Sequence, residues 1–188
     1  MSALALELRE KRARLGLKGP RAAEWLAAQG IALPMTANTW THSEGPIAAD
    51  AVLVARLGTT EFFLEDGAAG TTLERISPSL DESPPGVYPV LREDWAFLLA
   101  GDEAHDVLAQ VCNVNFAALS PDSRPLIMTL MIGVAVLVVP QSAGAGGQDR
   151  APERHYRIWC DPTFGPYLGE SLGEVVIECG GRYTGVSR

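Results

Sequence analysis

Residues Leu17–Gly30 read LKGPRAAEWLAAQG, and residues Leu99–Cys112 read LAGDEAHDVLAQVC. The two stretches align at a constant offset of 82 residues: Gly19 falls on Gly101, Ala22 on Ala104, Leu26 on Leu108 and Ala27 on Ala109. Each reads as a strand, a glycine turn and a helix. The glycine is needed where the chain reverses sharply and takes a positive φ that a side chain would resist. After it, Pro20 suits a first helical position and Asp102 suits a cap or first-turn acid. A short pattern met twice at one offset predicts a duplicated architecture, because it repeats a supersecondary unit and not merely a composition.

Working outward, the first half offers a strand near Ala13–Lys18, a helix over Pro20–Gln29 and a long connection from Pro34 to Asp50. Strands at Val52–Leu57 and Thr60–Leu64 and a short helix at Ala69–Ile76 follow. Ser77–Gly86 carries Pro78, Pro84 and Pro85 and is expected to be irregular, since proline removes a backbone donor. The second half offers strands at Val87–Arg92 and Trp95–Ala100 and a helix over Asp102–Val111. Ala104, Val107, Leu108 and Val111 form the i, i+3, i+4, i+7 stripe of one buried face. The run LIMTLMIGVAVLVVP (Leu126–Pro140) is too short to cross a bilayer and is read as two strands turning at Ile132-Gly133. Gln141–Arg154 reads as a mobile hairpin loop, and His155–Cys160 as a further strand. A closing helix opens at Asp161-Pro162, with Phe164, Tyr167, Leu168, Leu172 and Val175 on one face, and ends at Gly180-Gly181. The expected fold is α+β: pseudo-duplicated βαββα units, helices packed on mixed or antiparallel sheet, in a single domain of two halves at about 13–86 and 87–180.

Composition narrows the function. With 47% hydrophobic residues in 188, the chain can build a core. A formal net charge of −8 argues against nucleic acid or an anionic membrane as main partner, both being repelled at long range. No secretory signal opens the chain, and the three cysteines, Cys112, Cys160 and Cys179, form no CxxC, so a reducing, cytoplasmic setting is expected.

Catalytic signatures are absent from the sequence. His105 shares a helix with Asp102 and Asp106, but the spacing reads as a solvated helix face rather than a metal site. His42 and His155 have no partner nearby in sequence. Cys112 ends a helix, where the dipole disfavours a thiolate, and is read as a buried apolar residue. No GxSxG elbow occurs, and Gly144–Gly147 does not feed a helix, so neither a serine nucleophile nor a phosphate cradle is expected. Catalytic, cofactor-binding and metal-binding residues are therefore expected on none of this chain.

LLAGDEAHDVLAQVCNVNFAAL (Leu98–Leu119), MTLMIGVAVLVVP (Met128–Pro140) and HYRIWCDPTFGPYLGESL (His155–Leu172) resemble the gamma subunit of heterotetrameric sarcosine oxidase. GLKGPRAAEWLAAQGIALP (Gly16–Pro34) and VARLGTTEFFLED (Val54–Asp66) are similar to segments of the same group, within the aminomethyltransferase folate-binding-domain superfamily. The resemblance implies a non-catalytic subunit of an oxidoreductase complex that demethylates sarcosine and passes the one-carbon unit to tetrahydrofolate on another subunit. It implies alpha-, beta- and delta-type partners, with FAD, FMN, NAD, tetrahydrofolate and zinc on those partners. An equivalent N-methylglutamate dehydrogenase subunit, or a stand-alone folate-binding one-carbon protein, are the alternatives.

A subunit of that kind acts through contact, and stable complexes bury about 2,000 Å² or more. Two segments not needed to close the core offer themselves. One is Pro34–Asp50, with Met35, Trp40 and Ile47 as apolar anchors and Asn38 as a hydrogen-bonding residue. The other is the basic N-terminal segment, with Arg12, Arg14 and Lys18 facing an acidic partner. Trp40 is the candidate anchor of that surface, since tryptophan is over-represented among residues that carry interface energy; the alternative is that it folds back on its own core.

Overall fold

The computed structural model describes residues 3–9, 12–44, 51–68, 70–142 and 154–185. The chain divides into two compact units. A central unit is formed by Arg12–Glu93, and a terminal unit by Met1–Lys11 together with Asp94–Arg188. Strand β1 (Ala5–Leu8) belongs to the terminal unit.

The central unit runs β2 (Arg14–Lys18), α1 (Ala22–Ala28), β3 (Thr39–Ser43), β4 (Val52–Arg56), β5 (Glu61–Glu65), α2 (Thr71–Asp81) and β6 (Tyr88–Val90). Its sheet is ordered β3-β4-β5-β2-β6, antiparallel throughout. Registers Leu17↔Phe62, Leu15↔Leu64 and Val54↔Leu64 put Leu15, Leu17, Val54, Phe62 and Leu64 on one face. Ala22 and Leu26 of α1 and Leu73 and Ile76 of α2 pack into the same core.

The terminal unit continues with β7 (Trp95–Ala100), α3 (Ala104–Val111), β8 (Ile127–Met131), β9 (Val134–Ser142), β10 (Arg154–Cys160), α4 (Gly165–Glu178) and β11 (Arg182–Thr184). Its sheet is ordered β11-β1-β7-β10-β9-β8, with β1 and β11 parallel and the other pairs antiparallel. Leu4, Leu6, Phe97, Leu99, Val136, Val138, Tyr156 and Ile158 meet Val107 and Leu108 of α3 and Leu168, Leu172 and Val176 of α4.

The duplication holds over the strand, helix, meander and second helix of each unit. Both units run strand, helix, three-strand meander, helix, and the sheet rows β3-β4-β5-β2 and β8-β9-β10-β7 correspond. Gly19 and Gly101 adopt φ of 127° and 122°. A Cβ on Gly19 would lie 2.2 Å from the Gly86 carbonyl oxygen, and one on Gly101 would lie 2.6 Å from Leu4 Cα. Gly86 leads into β6 and Leu4 into β1, the strands that flank β2 and β7 respectively. In both units, then, the turn glycine lets the backbone of a neighbouring strand pass close by.

Several expectations need correction. Each repeat is βαβββα, because Thr39–Ser43, placed in a long connection by the sequence pattern, is strand β3, laddered to β4. Trp40 is the only strongly apolar residue of TWTHS, so periodicity gives no signal there, and the ladder supplies the order. Strands β1 and β11 were not anticipated; each is short and is specified by its pairing. Pro20 and Asp102 lie in the turns, not at the helix starts: α1 and α3 open three residues after their glycines, at Ala22 and Ala104, with no side-chain cap. Helix α2 continues through Pro78 to Asp81. Burial of Leu73 and Ile76 and packing of Leu80 on the same core offset the donor that Pro78 lacks. Phe164, just before α4, and Tyr167 on it are exposed; the buried stripe of α4 is Gly165, Leu168, Gly169, Leu172, Gly173 and Val176. The three glycines let Trp95, Phe97 and Tyr183 lie against the helix backbone.

Other readings match. Ile132 and Gly133 both take positive φ, 49° and 79°, forming the primed two-residue turn that joins twisted strands. Asp161 caps the closing helical segment by accepting from the Thr163 amide at 2.8 Å. Most of the Gln141–Arg154 loop, including Gly144–Gly147, lies outside the described residues. Among the described residues no helix is long and apolar enough to cross a membrane.

Candidate functional site

In the terminal unit, α3 and β10 bring together His105, Tyr156 and Arg154. The alternation of β10 turns Tyr156 inward, where it is 2% exposed, and its hydroxyl meets His105 Nε2. Arg154 Nη1 stands 3.4 Å from the same nitrogen. Phe116 packs edge-on against Tyr156, with ring centroids 5.6 Å apart. His105 also lines a recess of about 180 Å³ with Asp106, Leu108, Ala109, Val114, Asn115, Phe116 and Ala117. Burial, then the Arg154 charge, lower the His105 pKa below its ordinary 6.5, against a weaker opposing pull from Asp106. Burial raises that of Tyr156 above 10.0. Both shifts favour the uncharged forms, and the phenol and the imidazole share one hydrogen bond. The solvated helix face expected at His105 is therefore a half-buried contact between α3 and the sheet. A separation of 51 residues hid the pair from local sequence reading.

The cysteines sit as small buried or half-buried groups. Burial, then Asp94 and Asp161, push the Cys160 thiol up to about 12, which keeps it protonated. Cys112 is buried, with its sulfur 3.7 Å from Thr129 Oγ1. Cys179 accepts from Gln110 Nε2 at 3.3 Å. His155 pairs with Gln141 Oε1 at 2.9 Å. Among the described residues no cluster of three His, Cys, Asp or Glu is arranged to hold a metal.

In the central unit the expected contact residues separate. Arg14 is not a surface cation: its side chain is 2% exposed and its Nε donates to Glu65 Oε2 at 2.6 Å. The register Arg14↔Glu65 places the two opposite each other on β2 and β5, which explains the pairing. Lys18 is exposed and meets Glu61 at 3.2 Å. Arg12 is half-buried. Trp40, the expected surface anchor, is buried and stands edge-on to His42 at 5.2 Å. Being on a strand paired to β4, it is committed to the sheet rather than to a loose connection. Ile47 lies outside the described residues.

Met35 and Asn38 remain outside the core. Met35 is 91% exposed. Asn38 takes φ of 57° and donates its amide to the Arg56 carbonyl at 2.8 Å; asparagine tolerates this left-handed geometry better than most residues. Arg56, which sequence reading did not single out, organises the turn. Its Nη1 donates to the carbonyls of Pro34 and Met35 at 3.2 and 3.1 Å. Its Nε and Nη2 donate to those of Gly58 and Thr59 at 3.3 and 3.0 Å. No local motif announces an arginine that binds carbonyls about twenty residues away.

Solved structures match this arrangement. A chain of heterotetrameric sarcosine oxidase from Corynebacterium sp. U-96, solved with pyrrole 2-carboxylate, is 22% identical. It superposes with a TM-score of 0.66 over 97% of this chain and 87% of its own. Glycine cleavage system aminomethyltransferase T from Bartonella henselae is 17% identical and superposes with the same TM-score of 0.66, over 98% of this chain and 48% of its own. The fold is common to all three. The aminomethyltransferase-type α+β fold expected from the resemblance is thus the fold observed, and the present chain spans about half the length of the aminomethyltransferase. No protein-family model and no curated protein matches the sequence.

Proposed function

We propose that this chain is the gamma-type, non-catalytic subunit of a heterotetrameric sarcosine-oxidase-type complex. The observation that carries the reading is the extent of the match: 97% of this chain on 87% of a chain from a heterotetrameric oxidase. The state of the candidate chemical groups supports it. His105 and Tyr156 are hydrogen-bonded to each other, and burial with Asp94 and Asp161 favours the protonated thiol of Cys160. The complex would demethylate sarcosine oxidatively, with FAD, FMN, NAD, tetrahydrofolate and zinc on its alpha-, beta- and delta-type subunits. This chain would contribute by contact.

Co-expression with those subunits from the same genome tests the reading. The chain should be retained through purification on a tagged partner at a fixed ratio, and omitting it should lower the yield of assembled complex. Loss of the chain during purification, with the other subunits assembling fully, contradicts the proposal. Turnover of sarcosine against N-methylglutamate by the assembled complex separates oxidase-type from N-methylglutamate-dehydrogenase-type membership. The shared aminomethyltransferase fold keeps one other reading in view, a stand-alone folate-binding protein. It requires the isolated chain to bind tetrahydrofolate stoichiometrically in calorimetry.

A further inference from the structure

His105, Tyr156 and Arg154 meet where the first residues of β10 lie against α3, and their donors and acceptors can be counted. A guanidinium has N–H donors and no lone pair to offer. The Nε2 atom that Arg154 Nη1 approaches at 3.4 Å must therefore carry the lone pair, which puts the ring proton on Nδ1. Tyr156 Oη meets the same nitrogen, so the phenol donates to it. Arg154 is hydrogen-bonded to the tyrosine as well. Neutral Nε2 is thus the acceptor on which both β10 side chains converge. Asp106, on α3 itself, is a charged group that favours the imidazolium. Val114, Asn115, Phe116 and Ala117, which line the recess with His105, carry no charge.

Two of the three groups are poorly placed to move. Tyr156 is 2% exposed and packed against Phe116, and the His105 backbone lies within α3. Arg154 is exposed and begins β10. Its backbone is laddered on one side, to Ser142 of β9, whereas the pairing with β7 starts one residue later, at His155↔Ala100. We infer that His105 is a proton-operated latch. Its neutral ring holds the Arg154 side chain on α3, and protonation of Nε2 releases that side chain to solvent and loosens the first rung of the β9–β10 ladder. One proton from solvent takes the Nε2 lone pair, no covalent bond breaks, and the ring becomes a cation beside a cation. The new Nε2–H can still donate to Tyr156 Oη, since a hydroxyl accepts as well as donates, but it has nothing to offer Arg154. Burial and the Arg154 charge already hold the imidazole below its ordinary 6.5, which puts release on the acid side of that value. The latch does not depend on the function proposed above.

NMR on the full chain, with labelled histidine and arginine, reads the ring and the guanidinium separately. In wild type, nuclear Overhauser contacts from the Arg154 side chain to the His105 ring should be present at pH 7. They should be lost in step with the His105 ring shifts as the sample is acidified. Amide exchange at the Arg154–Ser142 rung, corrected for its intrinsic pH dependence, should speed up over the same range. Arg154→Met removes the cation and keeps a flexible side chain at an exposed position. It should raise the His105 midpoint by about half a pH unit, the scale of an exposed charge contact, and melt like wild type at pH 7. Contacts that persist after the ring has titrated overturn the latch, as does an Arg154→Met midpoint equal to wild type. A midpoint that moves while the rung exchanges at a constant corrected rate shows charge coupling without release, and overturns it equally.

Discussion

Arg14 illustrates how one residue's environment reverses its apparent role. On the sequence it belongs to a run of cations, but it sits on β2 opposite Glu65 with both side chains out of water. Removing one member of such a pair leaves a buried charge, a loss of about 3–5 kcal/mol, whereas replacing both by apolar groups is often near neutral. Arg14→Met should therefore lower the urea midpoint strongly, and Arg14→Met with Glu65→Leu should recover most of it. A single variant as stable as wild type would contradict the pairing. His105 gives a pH signature. Its folded pKa lies below 6.5, so just below that value the unfolded chain binds more protons than the folded one, and stability falls as pH drops. Between pH 7 and pH 5 the wild type should lose more stability than His105→Gln, measured by urea denaturation at each pH. Parallel curves for the two proteins would refute the assignment.

Elements differed in how far the sequence announced them. Strand β7 and helix α3 were legible because their apolar spacing matches their period: Phe97 and Leu99 alternate, and Ala104, Val107, Leu108 and Val111 share one face. The turn at Ile132-Gly133 was legible for the same local reason. Strands β1 and β11 were not, since each owes its form to a neighbour far away in sequence, and β3 was not, since its polar residues carry no apolar alternation and the ladder to β4 alone orders it. Pro78 carries a local helix penalty that the burial of Leu73 and Ile76, set by the tertiary fold, offsets. At the candidate site, Met35 and Asn38 were legible as surface groups. Trp40 was misplaced, and Arg56 and Tyr156 were invisible, because their partners are brought to them by the sheet. The turn glycines were the most informative residues of all, and they can be tested together. Gly180 also has a positive φ, 80°, but a Cβ there would meet nothing. Gly101→Ala should destabilise clearly more than Gly180→Ala, which carries only the backbone strain, with the excess in the range of about 1–3 kcal/mol typical of overpacking. Equal thermal losses for the two variants would remove the close approach of Leu4 from the account.

For the molecule as a whole, the two units have their own sheets and their own cores, and the central one is a continuous stretch, Arg12–Glu93. Expressed alone, that stretch should fold cooperatively, with a single urea transition followed by circular dichroism; a broad, non-cooperative melt would show that its core is insufficient by itself. The terminal unit is discontinuous, because β1 lies between β7 and β11. During translation, then, β1 emerges before either of the strands it pairs with. At roughly 5–20 residues per second, the synthesis of Arg12–Glu93 keeps it waiting on the order of ten seconds, an interval in which the central unit can form. Until β7 arrives, Leu4–Leu6 has neither of its strand partners, and its backbone donors and acceptors are left to water.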